Sequence, residues 1–215
     1  MQIDPPLTAP FENVVRERRS VHRFEPGQRI SKAQWRKLFE LSALSPSSWN
    51  FQPWDFVVVE DDDRRRELRP LCWNQSQIVD SAAVIAVIGD KNPHRRDEEI
   101  FAQFLENGYI DDATLQAYRG AVDVVYHDDA RRIEHAVGGA CLAAMTLMLT
   151  AQAMGLGTLP IIGFDPSGVR KFFNVTGDYM VAMLIAIGPA KGGELPRQQR
   201  RPFEDIVHWD RFGNL

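Results

Sequence analysis

Apolar positions along this chain fall into runs of three kinds. Phe56-Val57-Val58-Val59, Ala82–Ile88 (AAVIAVI) and Tyr179–Ile187 (YMVAMLIAI) are short and continuous, the signature of buried strands, and a fourth strand is expected over Thr158–Ile162. Helical spacing marks Phe11–Arg19, a segment opened by Ser31 as N-cap and running to about Ser45, a charged segment Asp61–Leu71, and Asp165-Pro166 to Phe173. From about 92 to 127 charged residues alternate with Phe101, Phe104, Tyr109, Tyr118 and Tyr126, which predicts one or two surface helices forming an excursion from the main body. The third kind is a single long helix, from about Asp128 to Met154, rich in small and apolar residues. No Asp, Glu, Lys or Arg occurs from Ala136 to Phe164, a stretch longer than a bilayer requires. Gly138-Gly139, Gln152 and the helix-breaking Gly155-Leu156-Gly157-Thr158-Leu159-Pro160 interrupt it, and the rest of the chain is patterned as a soluble domain. Burial in protein is therefore the expectation, with no membrane. A helix apolar all round belongs in the middle of something large, and a dimer core would hide it better than one domain of this size. The last 25 residues, from Lys191, lose periodicity and are expected to lie across a neighbouring surface. Strands interleaved with helices, without regular βαβ repeats, predict one α+β domain over residues 1–215 with a small central sheet.

Composition narrows the function without naming it. The 215 residues carry 25 Lys+Arg against 29 Asp+Glu, a formal net charge of −4, which argues against a dedicated nucleic-acid binder. Cys72 and Cys141 are too far apart in sequence to suggest a zinc motif. Two thiols, with no basic or apolar leader at Met1-Gln2-Ile3-Asp4-Pro5-Pro6, fit a cytoplasmic setting. The chain contains no GxSxG, GxxxxGK[ST] or HExxH, and no GxGxxG after a strand. The five histidines (22, 94, 127, 135, 208) show no metal-ligand spacing and read as surface or helix-end residues.

What remains is a set of separated pieces suited to a phosphorylated planar cofactor. Arg18-Arg19-Ser20 places two guanidiniums and a hydroxyl at the end of the first helix, and guanidinium forks match phosphate bidentately. Arg200-Arg201 is a second pair near the C-terminus. The equally basic Arg64-Arg65-Arg66 reads as ordinary solvated charge. Pro46-Ser47-Ser48-Trp49-Asn50-Phe51-Gln52-Pro53-Trp54 is a polar loop that holds two hydroxyls and two carboxamides between prolines, ahead of a buried strand. Such uncharged donors suit the carbonyls and ring nitrogens of a heteroaromatic ring; alternatively Asn50 and Gln52 tie down loop carbonyls.

Taken in order, Arg18-Arg19-Ser20-Val21-x-x-Phe24, the PSSxNxQPW loop, Gly155-Leu156-Gly157-Thr158 and the final Arg-Arg-Pro resemble the FMN-dependent nitroreductase family, over residues 11 to 215. The resemblance implies a nitroreductase-like fold and a homodimer with a C-terminal arm (about 191–215) exchanged between protomers. Two FMN sites would lie at the interface, each lined by both chains. Arg18, Ser20 and Arg200, with Arg19 and Arg201 beside them, would hold the phosphate. Pro46, Ser47, Ser48 and Asn50 would reach the flavin from the partner subunit. Asn74 matches the family asparagine at the pyrimidine edge, and the backbone of Pro160-Ile161-Ile162-Gly163 would face N5 and O4. The resemblance further implies hydride transfer from NAD(P)H to the flavin and on, by a ping-pong mechanism, to nitroaromatic, quinone or similar small-molecule acceptors, with no side chain required as catalytic acid or base. The family usually has Lys or Arg where this chain has His22, and often Lys where it has Gln77, so less fixed positive charge is implied at the N1/C2=O edge. Relatives of the same fold also dehalogenate, dehydrogenate or fragment flavin, and a non-enzymatic anion or nucleic-acid binder using the arginines is the remaining alternative.

Overall fold

The computed structural model describes residues 11–193 and 196–213; the proline-bearing leader lies outside them. Helix α1 (Phe11–Glu17) and helix α2 (Lys32–Ser42) precede strand β1 (Trp54–Val59). Helices α3 (Asp62–Leu68) and α4 (Gln77–Asp80) lead to β2 (Ala83–Asp90). Helices α5 (Asp97–Glu106) and α6 (Asp112–Val125) form the excursion, followed by the long α7 (Asp129–Ala153). Strand β3 (Gly157–Ile161), helix α8 (Pro166–Phe172) and strand β4 (Tyr179–Gly188) complete the body. The strands form one antiparallel sheet in the order β1-β2-β4-β3, the small central sheet of an α+β fold.

Local chemistry sets these boundaries. Ser31 accepts from Gln34 N at 3.3 Å while the Gln34 side chain accepts from Ser31 N at 2.9 Å, a capping box that starts α2. Asp61, Asp111, Asp128 and Asp165 cap α3, α6, α7 and α8 by accepting from backbone N–H groups. The charged segment predicted over 61–71 is shorter as an α-helix: it tightens into a 3₁₀ turn at Arg69–Cys72, where Pro70 sits, and ends on a left-handed Trp73.

All eight residues of β2 are buried because helices cover both sheet faces. One face (Val84, Ala86, Ile88, Leu184, Ala186) packs with Leu68, Cys72, Ile78 and Val169 of the α3–α4 and α8 side. The other (Ile85, Val87, Ile185, Ile187) packs with Leu38 of α2 and Ala140, Ala144, Leu147 and Ala151 of α7. By length and composition alone α7 could cross a membrane. Its small-residue stripe, Ala136, Gly139/Ala140, Ala143/Ala144, Leu147/Met148 and Ala151, is buried against the sheet and α2. The opposite side is not covered: Ile133, Leu142 and Met145 are exposed, as are Leu41 and Leu44 at the end of α2. Within one chain the helix is thus buried on one side only.

Of the three consecutive arginines expected to be solvated, Arg65 is an exception. It is 4% exposed, pairs with Asp62, and donates to the carbonyls of Ser81 and, at 2.8 Å, Val79. The carboxylate and the two carbonyls offset the burial of the guanidinium through Nη1 and Nη2, while Nε is buried without a partner.

Candidate functional site

The first part of the site is built where α1 stops. Residues 18–25 leave the helix and run along the outer edge of β3: Ser20 bridges Thr158, Val21 N donates to Thr158 O at 3.0 Å, and Phe24 bridges Ala190. A Cβ on Gly157 would lie 2.6 Å from Val21 Cγ2, so this close approach needs glycine there. The C-terminal arm returns to the same place. Lys191 N donates to Arg23 O at 3.0 Å, Arg23 Nη2 donates to Gly193 O at 2.5 Å, and Arg197 Nη2 donates to Arg16 O at 2.8 Å and Arg18 O at 2.7 Å. The two segments enclose a cavity of about 490 Å³ lined by Arg18, Arg19, Ser20 and His22 on one side and Arg197 and Arg200 on the other.

The electrostatics of this cavity are those of an anion site. Arg18 Nη1 is buried without a hydrogen-bond partner. Burial, and then the neighbouring charges of Arg197, Arg200 and Arg19, lower the Arg18 proton affinity below the ordinary arginine range. A buried donor left unpaired among like charges is costly; a phosphate dianion would pair it and reverse the sign of every neighbouring interaction. Arg201, grouped with Arg200 on sequence, does not line the cavity: its guanidinium donates to Asp205 O within the arm. Arg197 and Arg23 join the arm to residues 15–23; both arginines are visible in the sequence, but the distant carbonyls they meet are not.

The proline-bracketed loop is rigid for reasons not visible in its polar letters. Trp49, Asn50 and Gln52 have φ of 47°, 57° and 47°. They are held there by Gln52 N donating to Ser47 Oγ at 2.9 Å, by Gln52 Nε2 donating to Asn50 O at 3.2 Å, and by Arg96 donating to the carbonyls of Phe51 and Gln52. Phe51 is fully buried under Phe101, Leu115, Val122 and Tyr126 of the helical excursion. Pro53 fills the notch at Gly139, where a Cβ would come within 2.3 Å of Pro53 Cγ. Gln52 therefore does tie down a loop carbonyl, whereas Pro46, Ser48 and Asn50 are exposed. Ser47 and Ser48 line a separate cavity of about 210 Å³ with Tyr126, Glu134, His135 and Leu142. Within one chain they do not meet the arginines.

A third group forms a rim between β3 and the turn after α3. Gln77 Nε2 donates to His22 O at 3.2 Å, and Gln75 Nε2 donates to Gly163 O at 2.8 Å. Asn74 adopts φ of 58°, with its carbonyl held by Arg69 Nε at 3.2 Å and its side chain exposed. Pro160 and Ile161 pair with Ile185 and Leu184 in the sheet, whereas Ile162 beyond the strand is exposed. The Trp73 ring lies over Gly163, 2.8 Å from where a Cβ would be, yet is itself 70% exposed. Neither Trp73 nor Gln75 was anticipated from sequence; an exposed tryptophan in a left-handed turn shows itself only in three dimensions.

Two histidines expected to be plain surface residues are packed. His94 stacks on the buried Tyr126 at 4.5 Å between ring centroids, and His135 lies 5.3 Å from the same ring. Burial pushes Tyr126 up to about 12 and the Cys72 thiol up to about 11, so Cys72 is no ready thiolate nucleophile. Among the described residues no cluster of potential ligands could hold a metal ion.

The profile of the nitroreductase family matches residues 15–189. This chain belongs to the nitroreductase family. Among curated relatives of this nitroreductase, YodC of Bacillus subtilis (strain 168), named as a candidate NAD(P)H nitroreductase, is 37% identical over 92% of this chain and 97% of YodC. The protein named NADH dehydrogenase from Thermus thermophilus is 29% identical over 90% of this chain and 92% of that protein. Among solved structures, a candidate nitroreductase from Exiguobacterium sibiricum 255-15 in complex with FMN superposes with a TM-score of 0.84 at 32% identity, covering 95% of this chain and 99% of that one. The Bacillus subtilis protein ydfN gives a TM-score of 0.86 at 32% identity over 93% and 98% of the two chains.

Proposed function

We propose that this nitroreductase is a homodimer that passes electrons from NAD(P)H to nitroaromatic, quinone or similar conjugated acceptors by a ping-pong exchange, in which the oxidised nicotinamide leaves before the acceptor enters. Family membership makes the chain an NAD(P)H oxidoreductase with FMN as its cofactor. The observation that carries the reading is the partnerless, buried Nη1 of Arg18 in a cavity ringed by guanidiniums. Arg18, Ser20 and Arg200 would hold the FMN phosphate, with Arg19 adding charge. The rim of His22, Asn74, Gln77 and Pro160–Gly163 would face the ring. When bound, FMN supplies the two-electron chemistry; the chain supplies position and electrostatics.

Two features support a second subunit. The serine cavity and the arginine cavity share no lining residue in one chain, and Leu41, Leu44, Ile133, Leu142 and Met145 leave an apolar surface along α2 and α7. Pairing α7 with a second copy would cover that surface and bring Ser47, Ser48 and Asn50 of one protomer to the flavin of the other. Exposed Phe203, Ile206, Trp209 and Phe212 on the arm would bury against the partner in an exchanged arrangement. Residues 1–215 would act as one cytoplasmic domain, with small molecules rather than nucleic acid or membrane as partners. The test is sedimentation combined with stopped-flow reduction of the FMN-loaded protein by NADH and by NADPH, followed by an acceptor panel. Leu142→Asp is expected to give a monomer that loses FMN; a monomer that keeps FMN and turns over normally would overturn the proposal, and a loaded protein reduced by neither nucleotide would favour a different flavin reaction on the same fold.

A further inference from the structure

We infer that Arg197 is a positioning residue for the phosphate site, and that a phosphate dianion held between Arg18 and Arg200 orders the arm over residues 196–213. The inference rests on the FMN reading above. The last carbonyls of a helix have no intrahelical donor. Arg197 supplies one to the end of α1: Nη2 donates to Arg16 O at 2.8 Å and Arg18 O at 2.7 Å, with Val15 O at 3.5 Å. A cation is also the favoured charge at a helix C-terminus. Because Arg18 O belongs to the residue whose guanidinium enters the cavity, this one side chain fixes both the root of Arg18 and the arm carrying Arg200 three residues further on. Its Nη2 is spent on carbonyls, so Arg197 acts through Arg18 and not as the main phosphate ligand.

Beyond Arg197 several hydrogen bonds of the described arm close within the arm itself. Arg200 donates to Gln198 O at 2.9 Å and Arg201 to Asp205 O, both within the arm. Backbone hydrogen bonds from Asp205, Ile206 and Val207 return to Pro202 and Phe203. Drawing Arg197 and Arg200 toward Arg18 sets like charges against each other, the same opposition that lowers the Arg18 proton affinity. A dianion among them turns that opposition into attraction. Ligand binding and arm order are then linked, and each must favour the other to the same extent.

Hydrogen exchange of the purified full chain, followed over residues 203–213, tests this with FMN, riboflavin and inorganic phosphate as probes. FMN should slow exchange there about tenfold relative to ligand-free protein, riboflavin at equal saturation should not, and millimolar inorganic phosphate should reproduce part of the effect. Arg197→Ala should speed exchange in the ligand-free protein and lower FMN affinity about tenfold more than riboflavin affinity, and Arg197→Lys should restore part of both. Equal protection by riboflavin and FMN would overturn the phosphate link. Ligand-free exchange unchanged in Arg197→Ala would overturn the positioning role and make Arg197 a direct ligand. FMN that binds while the arm stays unprotected sinks only this inference; FMN that does not bind at all sinks the cofactor reading with it.

Discussion

At the arginine cavity, side chains from the two ends of the chain meet. Arg18 and Ser20 arrive from the end of α1, and Arg200 from the arm, joined by hydrogen bonds between residues 16–23 and 191–197. At the proline-bracketed loop the restraints are of another kind: short-range hydrogen bonds, a buried Phe51 and a proline seated in the Gly139 notch. The first region is charged, with Arg18 Nη1 buried and unpartnered among neighbouring guanidiniums. The second is apolar beneath, well anchored, and presents its serines to a cavity beside the uncovered Leu142 of α7. The difference teaches that the guanidiniums are brought together by tertiary structure within one chain, whereas the ring half of the proposed site would be completed only by the second subunit of the proposed homodimer. Changes in one half should then leave the other half working.

The largest expected effect comes from Phe51→Ala. Removing a fully buried aromatic from the cluster beneath the loop should cost about 4 kcal/mol of stability, read from denaturant unfolding. In protein that remains folded, flavin-ring binding should weaken while inorganic phosphate still binds at the arginines; loss of both together would show that the halves are not separable. Arg18→Ala reverses the pattern. Two charge-assisted hydrogen bonds to phosphate are worth about 3 kcal/mol, so FMN affinity should fall by about two orders of magnitude in a fluorescence titration, with riboflavin affinity unchanged. Stability without ligand should hold or rise, because the substitution removes an unpartnered buried nitrogen among like charges. A marked loss of ligand-free stability would mean that Arg18 is structural rather than kept for an anion.

The sequence could be read furthest where periodicity carried the information. The β2 and β4 runs are apolar without alternation because helices cover both faces, and the capped ends of α2 and α7 follow from Ser31 and Asp128. The arginine pair at residues 18–19 and the PSSxNxQPW loop could be singled out because, with Gly155-Leu156-Gly157-Thr158 and the final Arg-Arg-Pro, they stand in the order that resembles the nitroreductase family. What could not be read are relations between distant atoms. Arg65 lies in a run of three like charges yet is buried by Asp62 and two carbonyls, while Arg64 and Arg66 are exposed. Arg200 lines the cavity but Arg201 turns away to Asp205. Nothing in either triplet or pair distinguishes its members; the packing of the segment next to them does.

The smallest predicted effect separates the two regions by pH. His94 belongs to the loop side: its ring stacks on Tyr126, and its Nδ1 is buried without a partner. Burial lowers its proton affinity below the ordinary histidine value; Arg132 and Arg95 lower it further, and Asp97 and Asp90 act in the opposite direction. The folded state therefore binds the His94 proton less well than the unfolded chain does. The stability associated with this group is complete above the unfolded value of about 6.5 and is lost as pH falls from there through the lower folded value. His94→Gln should flatten the decline of Tm between pH 7.5 and 5, and the rescue should be concentrated in exchange of residues 93–126 and of the loop over 46–54. Exchange of residues 18–23 should follow the same pH course in both proteins, because none of the charged groups that act on His94 lines the arginine cavity. If those residues respond to His94→Gln as strongly as the loop does, the two regions share one cooperative unit and the division drawn between them fails.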